Sequence, residues 1–305
     1  MPVKGVISLK QNTTTKRSGA ADYESLCREL KLPLYAVKNI NDDTSLDLLR
    51  KLDLDLAFVI GWTQIVRPEA LQLVRVGMIG AHASLLPHHR GRAPINWALI
   101  KGARRAGNSL FWLAEKVDGG EIIDQMTIDI TPYDTCASLY EKVAHSNRKM
   151  ILRVLPKLRR GERPGRPQPH TDEPLLPGRR PEDGLLGWSM SSTKVYDFVR
   201  ALTRPYPGAF GWLNGKRWTV WQCAILPGNC FPGAAPGENI GPVRSPVDGA
   251  CGQAVACGEG AVVLLELEGE DGRILKGRQL SDQIWEGKMW GDEPPKNSCH
   301  SCASG

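Results

Sequence analysis

Residues 77–97 read GMIGAHASLLPHHRGRAPINW, and their pattern decides the fold. The run 77–83 is apolar up to His82 and reads as a strand. It is followed by a loop held by Pro87, Gly91 and Pro94, then by a helix over 95–101. A strand with so little polar alternation is covered on both faces, as in an α/β sheet. Upstream, the same units repeat. Strands are predicted at 3–9, 34–37 and 55–61, with helices at 23–30, after the capping sequence Asp43-Thr44-Ser45, and from Pro68. Downstream come a strand at 109–116, a turn at Asp118-Gly119-Gly120 and a strand at 122–130. A long amphipathic helix at 135–160 follows, which Pro156 should kink or end early. Alternating strands and helices predict a doubly wound, mostly parallel α/β sheet with a Rossmann-like order.

The composition bounds the classes of function. Of 305 residues, 41% are hydrophobic and 24% charged, which suits a globular chain and not a disordered one. No run is long enough to span a membrane, and the opening residues show no secretory pattern, so a cytoplasmic chain without a membrane partner is expected. The net charge of +6 is modest, and its dense part, KLRRGERPGR at 157–166, reads as a solvated helix end running into a linker. The eight cysteines lack a disulfide-scaffold spacing. Cys299-His300-Ser301-Cys302 has no second pair to complete a zinc site. The Pro- and Gly-rich stretch after that basic run divides the chain into a catalytic domain at 1–160, a linker at 161–187, a small β-barrel domain of OB-like type at 188–290, and a flexible tail at 291–305.

His82 falls at the carboxyl end of a strand and Asp118 in a Gly-rich turn, positions at which open α/β sheets place their ligands. A histidine can donate to a developing oxyanion or move a proton, and a carboxylate can hold it in the required state. Taken alone, the two residues fit a structural role equally well.

The longer string, H-x-S-L-L-P-x-x-R-G-x-x-P-x-x-W, resembles the folate-dependent N-formyltransferase family, which includes methionyl-tRNA formyltransferases and enzymes acting on nucleotide amino sugars. GWTQI at 61–65, VDGGEII at 117–123, RPEDG at 180–184 and RALTRPYPGA at 200–209 resemble its other motifs in order and spacing. The resemblance implies transfer of a formyl group from 10-formyltetrahydrofolate to a primary amine through a tetrahedral intermediate, without a metal. It implies His82 and Asp118 as the catalytic pair. Trp62, Gln64, Ile65, Ser84, Leu85, Leu86, Pro87, Gly120 and Glu121 would lie at the cofactor, and Arg90, Gly91, Pro94 and Arg200 at the amine substrate. Arginine suits that place because its fork makes bidentate contacts to anions.

The chain departs from the family twice. Gly80 stands where the family has a catalytic asparagine, a donor whose loss costs on the order of 10²–10³ in turnover. Asn96 is a possible substitute donor, but it falls inside the helix after Pro94, where a place on the helix surface is the favoured reading. The family's opening strand, central to its sheet, has no counterpart ahead of the strand at 3–9. The stretch 8–22 is short, with only Lys10, Lys16 and Arg17, whereas tRNA-directed relatives carry a long basic insertion. A small amine is therefore favoured over tRNA, either an amino sugar on a nucleotide or an amino-acid-derived amine. A homodimer is one open arrangement. The alternatives are a tRNA-directed enzyme, a folate-binding scaffold that has lost activity with its asparagine, and a hydrolase releasing formate.

Overall fold

The computed structural model describes residues 2–10, 22–228, 233–245 and 251–291. The Cys299–Cys302 pair, most of the predicted tail, Cys230, Lys16 and Arg17 lie outside the described residues. The chain divides into two compact units. The first holds residues 1–95, 104–132 and 138–178, and the second 96–103, 133–137 and 179–305.

In the first unit, β1 (Val6–Leu9) and β2 (Leu34–Val37) form a parallel pair, with α1 (Tyr23–Glu29) between them in sequence. A second sheet has the order β3 (Leu54–Val59), β4 (Val74–His82), β5 (Arg105–Trp112), β6 (Ile122–Asp129). Helix α2 (Asp43–Leu52) is capped one residue earlier than its sequence suggests, by Asp42, whose carboxylate accepts from the Ser45 amide at 2.8 Å. Strands β3 and β4 are parallel because α3 (Pro68–Leu71) carries the chain across between them. The β4–β5 and β5–β6 pairings are antiparallel, the latter joined by the short loop 113–121. Among the described residues no hydrogen-bonded pairing joins the two sheets, although Ile7 of β1 packs on the same core cluster as Leu54 and Ala57 of β3.

The apolar run of β4 has a direct physical reading. Met78 packs into a cluster with Leu46, Leu49, Ala70 and Val74, while its neighbour Ile79 joins Leu110, Trp112, Met150 and Val154. Successive side chains point to opposite faces, so both faces must be apolar. Helices α2 and α3 cover one face and α5 (Cys136–Arg159) the other. Helix α5 runs through Pro156 instead of ending there. The amide lost at Pro156 leaves the carbonyl of Leu152 without its helical donor, and Leu152 is exposed, so water can take the bond near the helix end. Helix α4 (Pro94–Ile100) leads from the first unit into the second.

The second unit holds α6 (Ser192–Leu202), β7 (Ala209–Leu213), β8 (Lys216–Leu226), β9 (Asn239–Arg244), β10 (Cys251–Ala256), β11 (Ala261–Gly269), β12 (Ile274–Lys276), α7 (Arg278–Ser281) and β13 (Trp290–Gly291). Its antiparallel sheet has the order β13-β7-β8-β11-β10-β9, with β12 on β11. Asn214-Gly215 joins β7 to β8 with φ of 52° and 73°, the left-handed pair that a two-residue hairpin turn requires. The five cysteines among the described residues are free thiols, and burial pushes Cys136 up to about 11. No helix among the described residues is long and apolar enough to cross a membrane.

Residues 161–178 look like a linker by composition, yet they are laid against the first unit. Arg166 exchanges two backbone hydrogen bonds with Ile122, both 2.9 Å. Leu176 donates to the Arg90 carbonyl at 2.7 Å and accepts from the Arg92 amide at 2.9 Å. The basic side chains follow suit, with Arg163 lying over the Trp112 ring and paired with Glu121, and Arg160 paired with Glu162.

Candidate active site

His82 ends β4 and is 8% exposed. Strand β5 returns antiparallel with Ser109 opposite His82, so its carboxyl end leads away from the histidine. Asp118 is therefore delivered by the loop 113–121, not by a shared carboxyl edge of parallel strands. Its backbone is left-handed, with φ of 48°. His82 Nδ1 lies 3.6 Å from Asp118 Oδ2, too far for a good hydrogen bond and close enough for a strong Coulomb interaction in a half-buried place.

The loop after β4 holds both groups. His82 Nε2 is 2.8 Å from the carbonyl oxygen of His89. A carbonyl only accepts, so Nε2 carries a proton, and Nδ1 is the ring nitrogen on the Asp118 side. Two residues on, the Gly91 amide donates to Asp118 Oδ2 at 2.9 Å. Between them, Arg90 is 8% exposed and its Nε has no hydrogen-bond partner among the described residues. A buried guanidinium edge with nothing to bond is a place for an acceptor, because leaving it unpaired is costly.

The segment 84–88 is fixed from several sides. Ser84 Oγ donates to the His88 carbonyl at 2.7 Å, and Ser109 Oγ accepts from the Leu86 amide at 3.0 Å. Gln125 Nε2 donates to the Leu86 carbonyl at 2.9 Å. Leu86 and Pro87 are buried and Leu85 half-buried. In the 61–65 loop, Gln64 clasps the end of β2, accepting from the Ile40 amide at 3.0 Å and donating to the Lys38 carbonyl at 2.8 Å. Trp62 packs on the first core cluster with its Nε1 buried and without a partner among the described residues, and Ile65 is exposed. Gly120 is buried in the Asp118 turn, and Glu121 is paired with Arg163 at 2.6 Å. Pro94 starts α4. Arg200 belongs to the second unit, where its guanidinium bonds Asp197 at 2.6 Å and the Asp134 carbonyl at 2.9 Å, both within a buried network.

Four side chains outside the sequence motifs complete the site: Ser109, Gln125, Gln168 and Glu173. Gln168 Nε2 donates to the carbonyls of Asp118 and Gly120, at 2.8 and 2.7 Å. Glu173 accepts from His88 Nδ1 at 3.1 Å and from the His89 amide at 3.2 Å. Desolvation raises the Glu173 pKa, but the bonds from His88 and the His89 amide outweigh it and hold the carboxyl below its usual range. His88 and His89 thus serve this carboxylate. Among the described residues no group of three or more His, Cys, Asp or Glu side chains could hold a metal ion.

The space beside Gly80 is filled. A Cβ there would meet Leu113 Cδ2 at 2.5 Å and the Phe111 ring at 3.3 Å. Asn96 offers no replacement donor, since its Nδ2 already donates to the Ala201 carbonyl at 2.7 Å. Gly80→Asn should therefore lower stability by about 1–3 kcal/mol and leave turnover no higher, because Leu113 must move and the Phe111 ring with it. Thermal unfolding and a rate assay on the one variant check this, and a gain in turnover at unchanged stability would show that room for the amide remains.

The α/β unit that carries this pair is followed in the chain by an antiparallel β unit. The formyl transferase family profile matches residues 3–155 and the family's C-terminal domain profile matches residues 179–283. The chain belongs to the formyl transferase family. Among solved structures it is similar to HypX from Aquifex aeolicus, with a TM-score of 0.65 at 20% identity over 90% of this chain and 48% of that one. The chain thus spans about half the length of that protein. It is also similar to WlaRD, a sugar 3N-formyltransferase solved with dTDP and 5-N-formyltetrahydrofolate (TM-score 0.59, 14% identity, 85% of this chain and 86% of that one). A third likeness is to methionyl-tRNA formyltransferase from Clostridium thermocellum (TM-score 0.54, 18% identity, 74% of this chain and 95% of that one). At these identities the likeness is one of fold.

Proposed function

We propose that this chain transfers a formyl group from 10-formyltetrahydrofolate to a small primary amine, using His82 and Asp118. The observation that carries the reading is the 3.6 Å approach of the two side chains, each pinned by one end of the same tripeptide, His89-Arg90-Gly91. The donor supplies an activated formyl carbon. His82, protonated at Nδ1, donates toward the formyl oxygen as it gains negative charge, and its Nε2 proton stays on the His89 carbonyl. Asp118 stabilises the positive ring and takes the proton that the amine sheds on attack. That proton ends on the departing nitrogen of the donor, so the chain itself returns to its starting state.

The buried Nε atoms of Trp62 and Arg90, unpartnered among the described residues, offer a ligand two donors. Both are buried donors lying in segments assigned to folate and substrate, and a polar, anionic ligand would satisfy them. An amino sugar on a nucleotide, or an amine derived from an amino acid, would bring an anionic group to the buried Arg90, and the likeness to the sugar 3N-formyltransferase WlaRD supports the first of these. A second reading, folate binding without transfer, is favoured by the apolar filling beside Gly80.

A reduced folate should bind the purified protein with equal affinity before and after chelator treatment, read by equilibrium dialysis. Trp62→Phe, which removes the orphaned donor, should not strengthen binding. Affinity lost on chelation and restored by zinc would sink the metal-free reading.

A further inference from the structure

We infer that Gln168 and Glu173 are positioning residues for the His82–Asp118 pair, acting through a strap formed by residues 164–178. The inference rests on the function proposed above and adds residues that no motif of the chain contains. The strap touches the two loops of the site at separate points. At its start, the Pro164 carbonyl accepts from Trp112 Nε1 at 2.7 Å, which ties it to the sheet. Gln168 then gathers the carbonyls of Asp118 and Gly120 onto one amide, at 2.8 and 2.7 Å. Further on, Glu173 takes His88 Nδ1 and the His89 amide, and Leu176 brackets Arg90 through the bonds to Arg90 and Arg92.

Both catalytic groups depend on these points. Asp118 and His89 each have a left-handed backbone, with φ of 48° and 56°. Asp and His enter that region more readily than other non-glycine residues, yet it still carries a cost, so neighbouring bonds matter to its hold. The bonds from Gln168 steady the first loop and those to Glu173 the second. The His89 carbonyl held in this way is the acceptor that fixes the ring of His82. Movement of either loop by about 1 Å would separate Nδ1 from the carboxylate and can cost about 10²-fold in rate.

The chemistry of each contact sets the test. Gln168 acts as a donor to two carbonyls, so Gln168→Glu keeps its size and turns the donor into an acceptor. Glu173 acts as an acceptor, so Glu173→Gln keeps one acceptor oxygen and Glu173→Ala keeps none. Glu173→Ala and Gln168→Glu should lower kcat by about 10-fold to 100-fold with KM changed less than about 3-fold, and Glu173→Gln should restore most of the loss. Two signals read by nitrogen-edited NMR need no substrate. The His82 Nε2 proton should exchange faster in Glu173→Ala and recover in Glu173→Gln, and the Gly91 amide should lose protection in Gln168→Glu. Should Gln168→Glu fail to fold, Gln168→Met, similar in size and without a donor, takes its place. Wild-type kcat with unchanged proton signals in either the Gln168 variant or Glu173→Ala overturns the inference. If the wild-type protein transfers formyl to no amine, the proposed function falls, and the strap is still decided by the two NMR signals.

Discussion

His82→Ala should slow formyl transfer by about 10²–10⁴-fold, the range that a positioned general acid or base contributes. The side chain lies at the strand end with one ring nitrogen committed to His89 and the other facing Asp118. Among the described residues the Gly91 amide is held on Asp118 itself, which leaves His82 as the titratable donor beside the carboxylate. Gln125 and Ser109 spend their donors on the loop carbonyls of Leu86 and Ser84. Asp118→Asn should show a loss of the same order, because it keeps an acceptor for the Gly91 amide while removing the charge and the base. Circular dichroism and thermal unfolding should be close to wild type for Asp118→Asn, so that its rate loss reads as chemistry. A His82→Ala protein with full turnover would end the proposed mechanism.

Among the described glycines, Gly120→Ala should be the most damaging added methyl. A Cβ at Gly120 would lie 1.8 Å from the carbonyl oxygen of Trp112, which is backbone in a central strand and cannot step aside. The turn would have to shift instead, breaking the Trp112 amide bond to the Glu121 carbonyl at 2.9 Å and the Gln168 bond to Gly120. A stability loss of about 3 kcal/mol is expected, at the upper end for overpacking. Activity should fall by about 10²-fold or more as Asp118 moves with its turn. Gly61→Ala is the control. Gly61 has nothing within 4 Å of its Cβ position but a φ of 64°, so only backbone strain of about 1 kcal/mol applies. Equal melting temperatures for the two variants would contradict this account of the turn.

The α/β pattern was legible because β4 advertises its two covered faces: neighbouring apolar residues such as Met78 and Ile79 serve different core clusters. The direction of β5 was less legible. An apolar run says that a strand is buried and not which way it runs, and only the short loop 113–121 hints at an antiparallel return. His82 and Asp118 stood out because the motif stretches carry them. Gln168 and Glu173 did not, since they lie among prolines and glycines with no apolar period. Their work is done by hydrogen bonds to carbonyls and imidazoles 48 to 85 residues away in sequence, and no local pattern records such contacts. The stretch 161–178 reads as linker for the same reason, since its hold on the first unit comes from backbone bonds to Ile122, Arg90 and Arg92 that composition does not reveal.

The central claim is that the His82–Asp118 site moves a formyl group from a folate to an amine. The most direct measurement follows 10-formyltetrahydrofolate, with the intact protein, across a panel of nucleotide amino sugars and amino-acid-derived amines, quantifying tetrahydrofolate, free formate and formylated amine together. The account predicts that tetrahydrofolate appears only when an accepted amine is present, in equal amount with the formylated amine, and that His82→Ala abolishes both. Formate released at the same rate with or without amine, or folate bound and never consumed, would contradict it.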